Sequence, residues 1–393
     1  MPKMTRILPI LVISQFFCTS VWFAGNAIMP DLARAYGIEP LFFAHLTSVI
    51  QFGFISGTLL FATLTLSDRL SPSKLFFVSS FLAALFNAGM SVEGVSIQGV
   101  LVLRFLTGFC LAGVYPVGMK IASDYYQSGL GKSLGFLVGA LVLGTAFPHL
   151  AKDLTQHLPW RSVLFLTSSL AWIGGLLVFF FIPDGPFRQP SQGWLPSALF
   201  KGFQIPDFRA VTCGYFGHMW ELYAFWAFLP IILTTYNNQF LNANLNVPLL
   251  SFGIIASGSL SCSMAGLLAN RLGTQKLALG ALSLSGLCCL LSPVFFNQSS
   301  SSFFLVFLFF WGLVVIADSP LFSTLVAQNA PVESRGTSLT VVNCIGFAIT
   351  IVSIQVIRSI SDHLIWPYTY MILGIGPILG ILGLVRKKGK NPL

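Results

Sequence analysis

Apolar residues fill most of this chain in runs of about 20 residues, which short polar connections separate. A run of that length can cross a bilayer as an α-helix, whereas the alternating segments of ~10 residues that build a membrane β-barrel do not occur. The pattern therefore predicts an all-α polytopic membrane protein. Twelve transmembrane helices are predicted. They are numbered here as spans 1 to 12 and lie at residues 7–29, 44–66, 75–92, 97–119, 133–152, 162–182, 210–234, 248–269, 277–296, 302–326, 337–358 and 366–385.

Composition and charge agree with a membrane location and predict a topology. The 393 residues are 55% hydrophobic and only 8% charged, whereas soluble domains carry about 25% charged residues. Most of the 21 Lys and Arg residues fall in connections on one side of the spans, so the positive-inside rule places both termini in the cytoplasm. Because these basic residues are scattered, they do not favour nucleic-acid binding. All 7 cysteines lie in apolar runs and predict neither a disulfide framework nor a metal pair.

One long polar connection divides the spans six and six. The proline-rich residues 184–208 separate an N-terminal six-helix bundle at 1–183 from a C-terminal six-helix bundle at 209–393. Within the connection, residues 194–203 are partly apolar. This stretch is either a helix that lies on the membrane surface or part of a plain linker.

The two halves repeat short motifs at matching places. The polar turn at 66–74, after span 2, resembles the turn at 266–276, after span 8. Pro116 in span 4 and Pro320 in span 10 each precede a Gly-x-Ser-Leu turn by nearly the same number of residues. Matching turns indicate a duplicated six-helix unit, and parallel repeats of this kind place a substrate site near the midplane, between the halves.

These motifs resemble those of the major facilitator superfamily over the whole chain. The turn after span 2 is similar to the family's Gly-x-Leu-Ala-Asp-Arg-x-Gly-Arg-Arg/Lys loop, with Leu64 and Ser71 at its glycine positions; its second copy has Asn270 for the acid. Arg104 begins an element similar to the Arg-x-x-x-Gly of helix 4. Span 5 only partly resembles the helix-5 antiporter motif, because the Gly-Pro dipeptide is missing. The resemblance implies two pseudo-symmetric bundles, secondary transport by alternating access, and a link between Arg104 and proton transfer.

Span 7 carries ionisable side chains at mid-bilayer depth. Glu221 lies near its middle, and His218 lies one turn earlier. A carboxylate at that depth costs at least about 2.5 kcal/mol, so it is expected to face a polar interior rather than lipid. Tyr215, His218, Glu221 or Leu222, and Phe225 share one helix face, which predicts that this face lines a solute pathway.

Two roles remain open for Glu221. With His218 it forms a proton-coupling pair that binds and releases a proton as access alternates, or it is held permanently by a partner such as Arg104. The spacing of His218 and Glu221 also suits metal ligands, but one such pair supplies too few ligands, and no metal or other cofactor is expected.

Two further ionisable residues lie inside the spans. Arg104 in span 4 either holds an anionic substrate through paired hydrogen bonds or neutralises Glu221, and both roles place it in the central cavity. Arg104 also joins Glu221 and His218 as a candidate for proton coupling. Asp318 precedes Pro320 in span 10 and is interpreted as a helix break or as a gate partner.

Polar and aromatic side chains form stripes on otherwise apolar spans. In span 1 they recur every three or four residues, which places them on one helix face. Interhelical hydrogen bonding explains each stripe alone, but together the stripes predict a cavity for a polar or amphipathic solute. The residues assigned to this cavity are Gln15, Thr19, Trp22, Asn26, Gln51, Arg104, Tyr215, His218, Glu221, Phe225, Trp311 and Asn343.

Charged turns at the cytoplasmic ends of the spans are interpreted as a gate. A charged turn can pair with a neighbouring helix end in one access state and release it in the other. The same charges also help to set the topology. The residues assigned to the gate are Asp68, Arg69, Asn270, Arg271 and Asp318.

The sequence therefore predicts a secondary active transporter of the inner (plasma) membrane rather than an enzyme. The favoured function is proton-coupled symport of a small polar or anionic organic solute. The alternative is an exporter of drugs, metabolites or siderophore-like compounds. The expected partners are the solute, protons and the lipid bilayer, and the expected state is a monomer. Catalytic motifs such as HExxH, a nucleophile elbow or a Walker loop do not occur, and the loops are too short to house an enzyme site.

Overall fold

The structure is a computed structural model that describes residues 6–126, 130–188, 202–331, 335–361, 363–364 and 366–385. These residues are predominantly helical and contain no β-strand, which confirms the predicted all-α class. Its principal helices are Ile7–Thr19, Ala24–Ala27, Met29–Tyr36, Phe43–Thr63, Leu66–Arg69, Pro72–Gly89, Ile97–Leu111, Tyr115–Tyr125, Leu130–Leu154, Arg161–Phe181, Pro206–Gln239, Val247–Leu272, Thr274–Phe296, Ser301–Ala317, Ser319–Asn329, Arg335–Ile360, Trp366–Thr369 and Ile375–Val385.

In the part of the chain that the structure describes, 10 helices are long and apolar enough to cross a membrane. They correspond to span 2 and to spans 4 to 12. Span 3 is the helix Pro72–Gly89, and span 1 begins with the shorter apolar helix Ile7–Thr19. The predicted order of spans is therefore confirmed, but some predicted ends are wrong. Span 7 runs over Pro206–Gln239, well beyond residues 210–234.

Four spans are interrupted, of which only span 10 was suggested by the sequence to contain a break, at Asp318. Span 1 stops after Thr19, and span 12 contains the 3-10 turn Tyr370–Gly374. Span 4 breaks after Leu111 and span 10 after Ala317. The second half of span 4 begins Tyr115-Pro116 and that of span 10 begins Ser319-Pro320. Proline lacks an N–H group and collides with the preceding turn, so a helix readily restarts there. The two proline breaks lie at matching places in the halves, as the duplication predicts.

The chain divides into two compact units. Unit 1 comprises Met1–Gly193 with Pro248–Ser259, and unit 2 comprises Trp194–Val247 with Leu260–Leu393. Span 8 therefore contributes residues to both units. Most of the partly apolar stretch at 194–203 lies outside the described residues.

Within each unit, glycines allow two helices to approach closely. In unit 1, a Cβ atom on Gly108 of span 4 would overlap the carbonyl oxygen of Ile50 in span 2. In unit 2, a Cβ atom on Gly217 of span 7 would overlap the carbonyl oxygen of Gly376 in span 12. Close van der Waals packing at small residues is a main source of helix association in lipid. The contact at Gly217 brings span 7, which carries Glu221, directly against span 12.

Candidate functional site

Glu221 is buried in the middle of span 7, where it is 1% exposed. Its two oxygens accept hydrogen bonds from different spans of unit 2. The indole Nε1 of Trp311 in span 10 donates to Oε1 at 2.7 Å, and the hydroxyl of Ser285 in span 9 donates to Oε2 at 2.9 Å. Trp311 belongs to the predicted set, whereas an isolated serine such as Ser285 has no distinguishing signal in the sequence. The carboxylate thus joins span 7 to two other spans of its unit.

His218 has a different partner from Glu221, although the sequence suggested that the two form one pair. Its Nδ1 lies 2.7 Å from Oδ1 of Asp318, an ion-pair distance, and both side chains are 1% exposed. Asp318 lies between the two halves of span 10, so it occupies the helix break that the sequence suggested. Among the described residues, no group of three or more His, Cys, Asp or Glu side chains is placed to hold a metal ion.

The remaining residues on this face of span 7 also contact spans of unit 2. The hydroxyl of Tyr215 donates to Oδ1 of Asn343 in span 11 at 2.8 Å. The ring of Phe225 stacks on Trp311, with ring centroids 4.5 Å apart. The face that was predicted to line a solute pathway therefore packs in this structure against spans 9, 10 and 11.

The polar stripe of span 1 begins with Gln15 and Thr19, which are both buried inside unit 1. The hydroxyl of Thr19 donates to the carbonyl of Gln15 at 2.8 Å and fills the space beside Gly144 of span 5. The amide of Gln15 lies against Gly118 of span 4. Within the described residues, neither polar atom of this amide has a hydrogen-bond partner. A fully buried amide without partners is costly, so this position favours contact with a polar molecule.

The rest of the stripe faces span 2. The ring of Trp22 lies 5.0 Å from that of Phe54, measured between centroids. The amide nitrogen of Asn26 donates to the hydroxyl of Thr47 at 2.8 Å. Gln51 of span 2 is fully buried. The stripe thus faces the interior of unit 1, and part of it forms the interhelical hydrogen bonds that are the simplest explanation for such a pattern.

Arg104 of span 4 stabilises the interruption in span 1. Its side chain is fully buried, and its terminal nitrogens donate to the carbonyls of Val21, at 3.0 Å, and of Trp22. These carbonyls follow the end of the helix at Thr19, where the last turn leaves carbonyl groups unsatisfied, and a cation there is also favoured by the helix dipole. Within the described residues of unit 1, no carboxylate lies at ion-pair distance from Arg104, and its Nε has no hydrogen-bond partner. No carboxylate among those residues therefore balances its positive charge.

The predicted gate is described only in part. Arg69 ends the short helix Leu66–Arg69 and is exposed, and Arg271 near the end of span 8 is also exposed. The side chains of Asp68 and Asn270 lie outside the described residues. The role of these residues as a gate therefore stays a prediction.

A hydrogen-bonded cluster that the sequence did not predict lies next to this turn. The hydroxyl of Ser71 donates to Asp184 at 2.6 Å. Arg188 donates to the same carboxylate at 2.8 Å and to the carbonyl of Leu70 at 2.7 Å. The cluster ties the turn after span 2 to the segment after span 6. The sequence gives no signal for this cluster, because Ser71 and Asp184 are 113 positions apart in the chain.

Comparison with known proteins agrees with this architecture. The family model of the Major Facilitator Superfamily matches residues 11–354 and 211–392. Among solved structures, the chain is similar to the crystal structure of the human organic anion transporter MFSD10 (TETRAN), with a TM-score of 0.76 and 14% sequence identity over 98% of this chain and 100% of that chain. At this identity the likeness shows the fold. A search of curated proteins gave no match. The match to the family model covers most of the chain, and the protein therefore belongs to the major facilitator superfamily of multi-pass membrane transporters.

Proposed function

We propose that this transporter is a secondary active carrier that moves a small polar or anionic organic solute by alternating access, with protons as the coupling ion. We place it in the inner (plasma) membrane with both termini in the cytoplasm. The observation that carries the proposal is the burial of ionisable side chains inside the spans, since Arg104, His218, Glu221 and Asp318 are each at most 1% exposed. Such groups are rare in membrane spans and usually mark solute or ion pathways.

The chemistry of unit 1 supports a polar or anionic solute. The guanidinium of Arg104 has no carboxylate partner among the described residues of that unit, so an anion is the simplest group to balance its charge. The unpartnered amide of Gln15 adds hydrogen-bonding capacity in the same unit. The structural neighbour is named an organic anion transporter, which makes organic anions the first class to test.

The acidic groups of unit 2 support proton coupling. Glu221, Asp318 and His218 are buried on spans 7 and 10, and each can exist in a charged or a neutral form. A carrier that alternates access exposes such groups to one side at a time, so a proton bound on one side can be released on the other.

The test begins with the purified protein. A thermal-shift screen against classes of organic anions, zwitterions and neutral polar solutes, at two pH values, identifies a ligand. Proteoliposomes loaded with buffer are then given a proton gradient, and uptake of the labelled ligand is measured with and without a protonophore. We expect accumulation above the external concentration that the protonophore abolishes. Uptake that does not depend on the proton gradient would refute proton coupling. Accumulation of the ligand only when the proton gradient is reversed, so that protons flow out of the liposomes as the ligand enters, would indicate an exporter.

A further inference from the structure

We infer that the coupling proton binds to the pair formed by His218 and Asp318, and that Glu221 positions span 7 without exchanging that proton. The inference rests on the proposed proton coupling and deepens it by assigning the site. It gives Asp318, which the sequence suggested as a helix break or gate, a second role in binding the proton.

The two buried carboxyl groups of unit 2 differ in how their oxygens are satisfied. Both oxygens of Glu221 accept hydrogen bonds, one of them from Trp311, whose indole can only donate. In contrast, neither oxygen of Asp318 has a hydrogen-bond partner of good geometry among the described residues, although Nδ1 of His218 lies 2.7 Å away. The Nε2 of His218 also lacks a partner within those residues. Glu221 is thus held by donors from two other spans, whereas Asp318 lies beside a group that is itself ionisable, and its Oδ2 can carry a proton.

Asp318 precedes a helix, a position at which backbone N–H groups usually donate hydrogen bonds to the side chain. It immediately precedes the helix Ser319–Asn329, where a side-chain oxygen commonly accepts a hydrogen bond from the free N–H groups of the first turn. The Asp318 side chain does not make this bond. The carboxyl group instead lies against His218. This arrangement is expected if Asp318 and His218 share a proton that the pair gains and loses.

The charge balance explains why the pair releases a proton only when water reaches it. A neutral His218 beside an ionised Asp318 has a net charge of −1, and one added proton, on either group, brings the net charge to zero. A buried unpaired carboxylate costs several kcal/mol in effective desolvation, so the pair keeps this proton while it is sealed. When the break in span 10 opens to water, hydration stabilises the charged form, and the proton can leave.

Aromatic rings, Glu221 and a thiol surround the pair within the described residues. The ring of Tyr215 lies 6.3 Å from that of His218, and Phe322 covers the other side at 6.3 Å, both measured between centroids. Glu221 lies one turn along span 7, with its donors in place. The thiol of Cys262 in span 8 already donates a hydrogen bond to the carbonyl of Ile316, at 3.4 Å. The other titratable groups nearby face Glu221 from span 9, namely Cys288 and Cys289.

The site can be tested without knowledge of the solute. Infrared difference spectra of the purified protein are recorded across a pH titration, and the carbonyl absorption of a protonated carboxyl group in an apolar environment is followed. We expect this band in the wild type, in Glu221→Gln and in the control Glu93→Gln, which alters a carboxylate that is 88% exposed. We expect Asp318→Asn to remove it. A band that survives in Asp318→Asn but is lost in Glu221→Gln overturns the inference, as does its absence from the wild type.

A second variant and a transport assay complete the test. If Asp318→Asn does not fold, His218→Gln should shift the midpoint of the band by about one pH unit, which is a tenfold change in proton affinity, and an unchanged midpoint overturns the inference. In proteoliposomes, Asp318→Asn should exchange solute but no longer accumulate it. Wild-type uptake that ignores the proton gradient rejects the proposed coupling, whereas the infrared band decides independently whether this pair binds a proton.

Discussion

The hydrogen bond between Trp311 and Glu221 should contribute a measurable coupling energy, which a double-mutant cycle with Trp311→Phe and Glu221→Met isolates. Side-chain hydrogen bonds between membrane helices contribute about 0.6 kcal/mol on average. This bond is short, at 2.7 Å, and its acceptor can be ionised, so it should be roughly twice as strong as a neutral one. We therefore expect a coupling energy of about 1–1.5 kcal/mol. The loss of ring volume in Trp311→Phe occurs on both arms of the cycle and cancels.

The assay is equilibrium unfolding of the four proteins in mixed micelles with increasing dodecyl sulfate, followed by circular dichroism. Methionine has a similar length and no oxygen that can accept from Trp311, and the hydroxyl of Ser285 also donates to the carbonyl of Leu282, so Glu221→Met removes the bond and should still fold. A control cycle of Trp311→Phe with Glu93→Gln should be additive, because the exposed Glu93 pairs with Arg161 and shares no partner with Trp311. If the two main substitutions are also additive to within about 0.3 kcal/mol, Trp311 does not hold Glu221 and the assignment of Glu221 as a positioning residue is wrong.

Two further predictions concern the packing that supports these groups. Gly217→Ala should lower stability by about 1–3 kcal/mol, because the new methyl group overlaps span 12, whereas Gly280→Ala has open space and should be neutral or slightly stabilising. Equal thermal melts of the two variants would contradict the close contact. Arg104→Lys keeps the charge but replaces the two nitrogens that bind the two carbonyls with one, so residues 20–23 should exchange their amide hydrogens faster in the variant. Unchanged protection would show that Arg104 does not stabilise the break in span 1.

The order of the spans could be predicted from the sequence because it depends on local properties. Apolar runs of sufficient length define the spans, and Asp318 before Pro320 suggested the break in span 10, whereas the break before Pro116 in span 4 was not predicted. The interruption after Thr19 could not be predicted, because no proline lies near it: Pro9 is in the first turn of span 1, and the next proline is Pro30. Its cause lies in another span, where Arg104 supplies the donors that the interrupted helix needs.

The partners of the buried groups could be predicted only in part. Helical spacing correctly places Tyr215, His218 and Glu221 on one buried face of span 7. It also suggested that His218 and Glu221 form one pair, but the contacts of each side chain depend on the rotation and depth of spans 9 and 10, which periodicity does not define. Asp318 reaches His218 because span 10 breaks at that level.

Each unit contains a span that breaks before a proline, but the two breaks carry side chains of different charge. Spans 4 and 10 both break and restart at a proline, yet the residues at the break in span 4 are apolar or glycine, whereas Asp318 lies at the break in span 10. In the described mid-span residues, unit 1 buries the cation Arg104 and unit 2 buries the acids Glu221 and Asp318. A duplicated scaffold therefore carries side chains that have diverged in charge. Because specificity depends on such side chains and not on the fold, solute binding and proton binding should respond to substitutions in different units. Substitution of Arg104 should change which solutes bind, whereas substitution of Asp318 should change the pH dependence of transport.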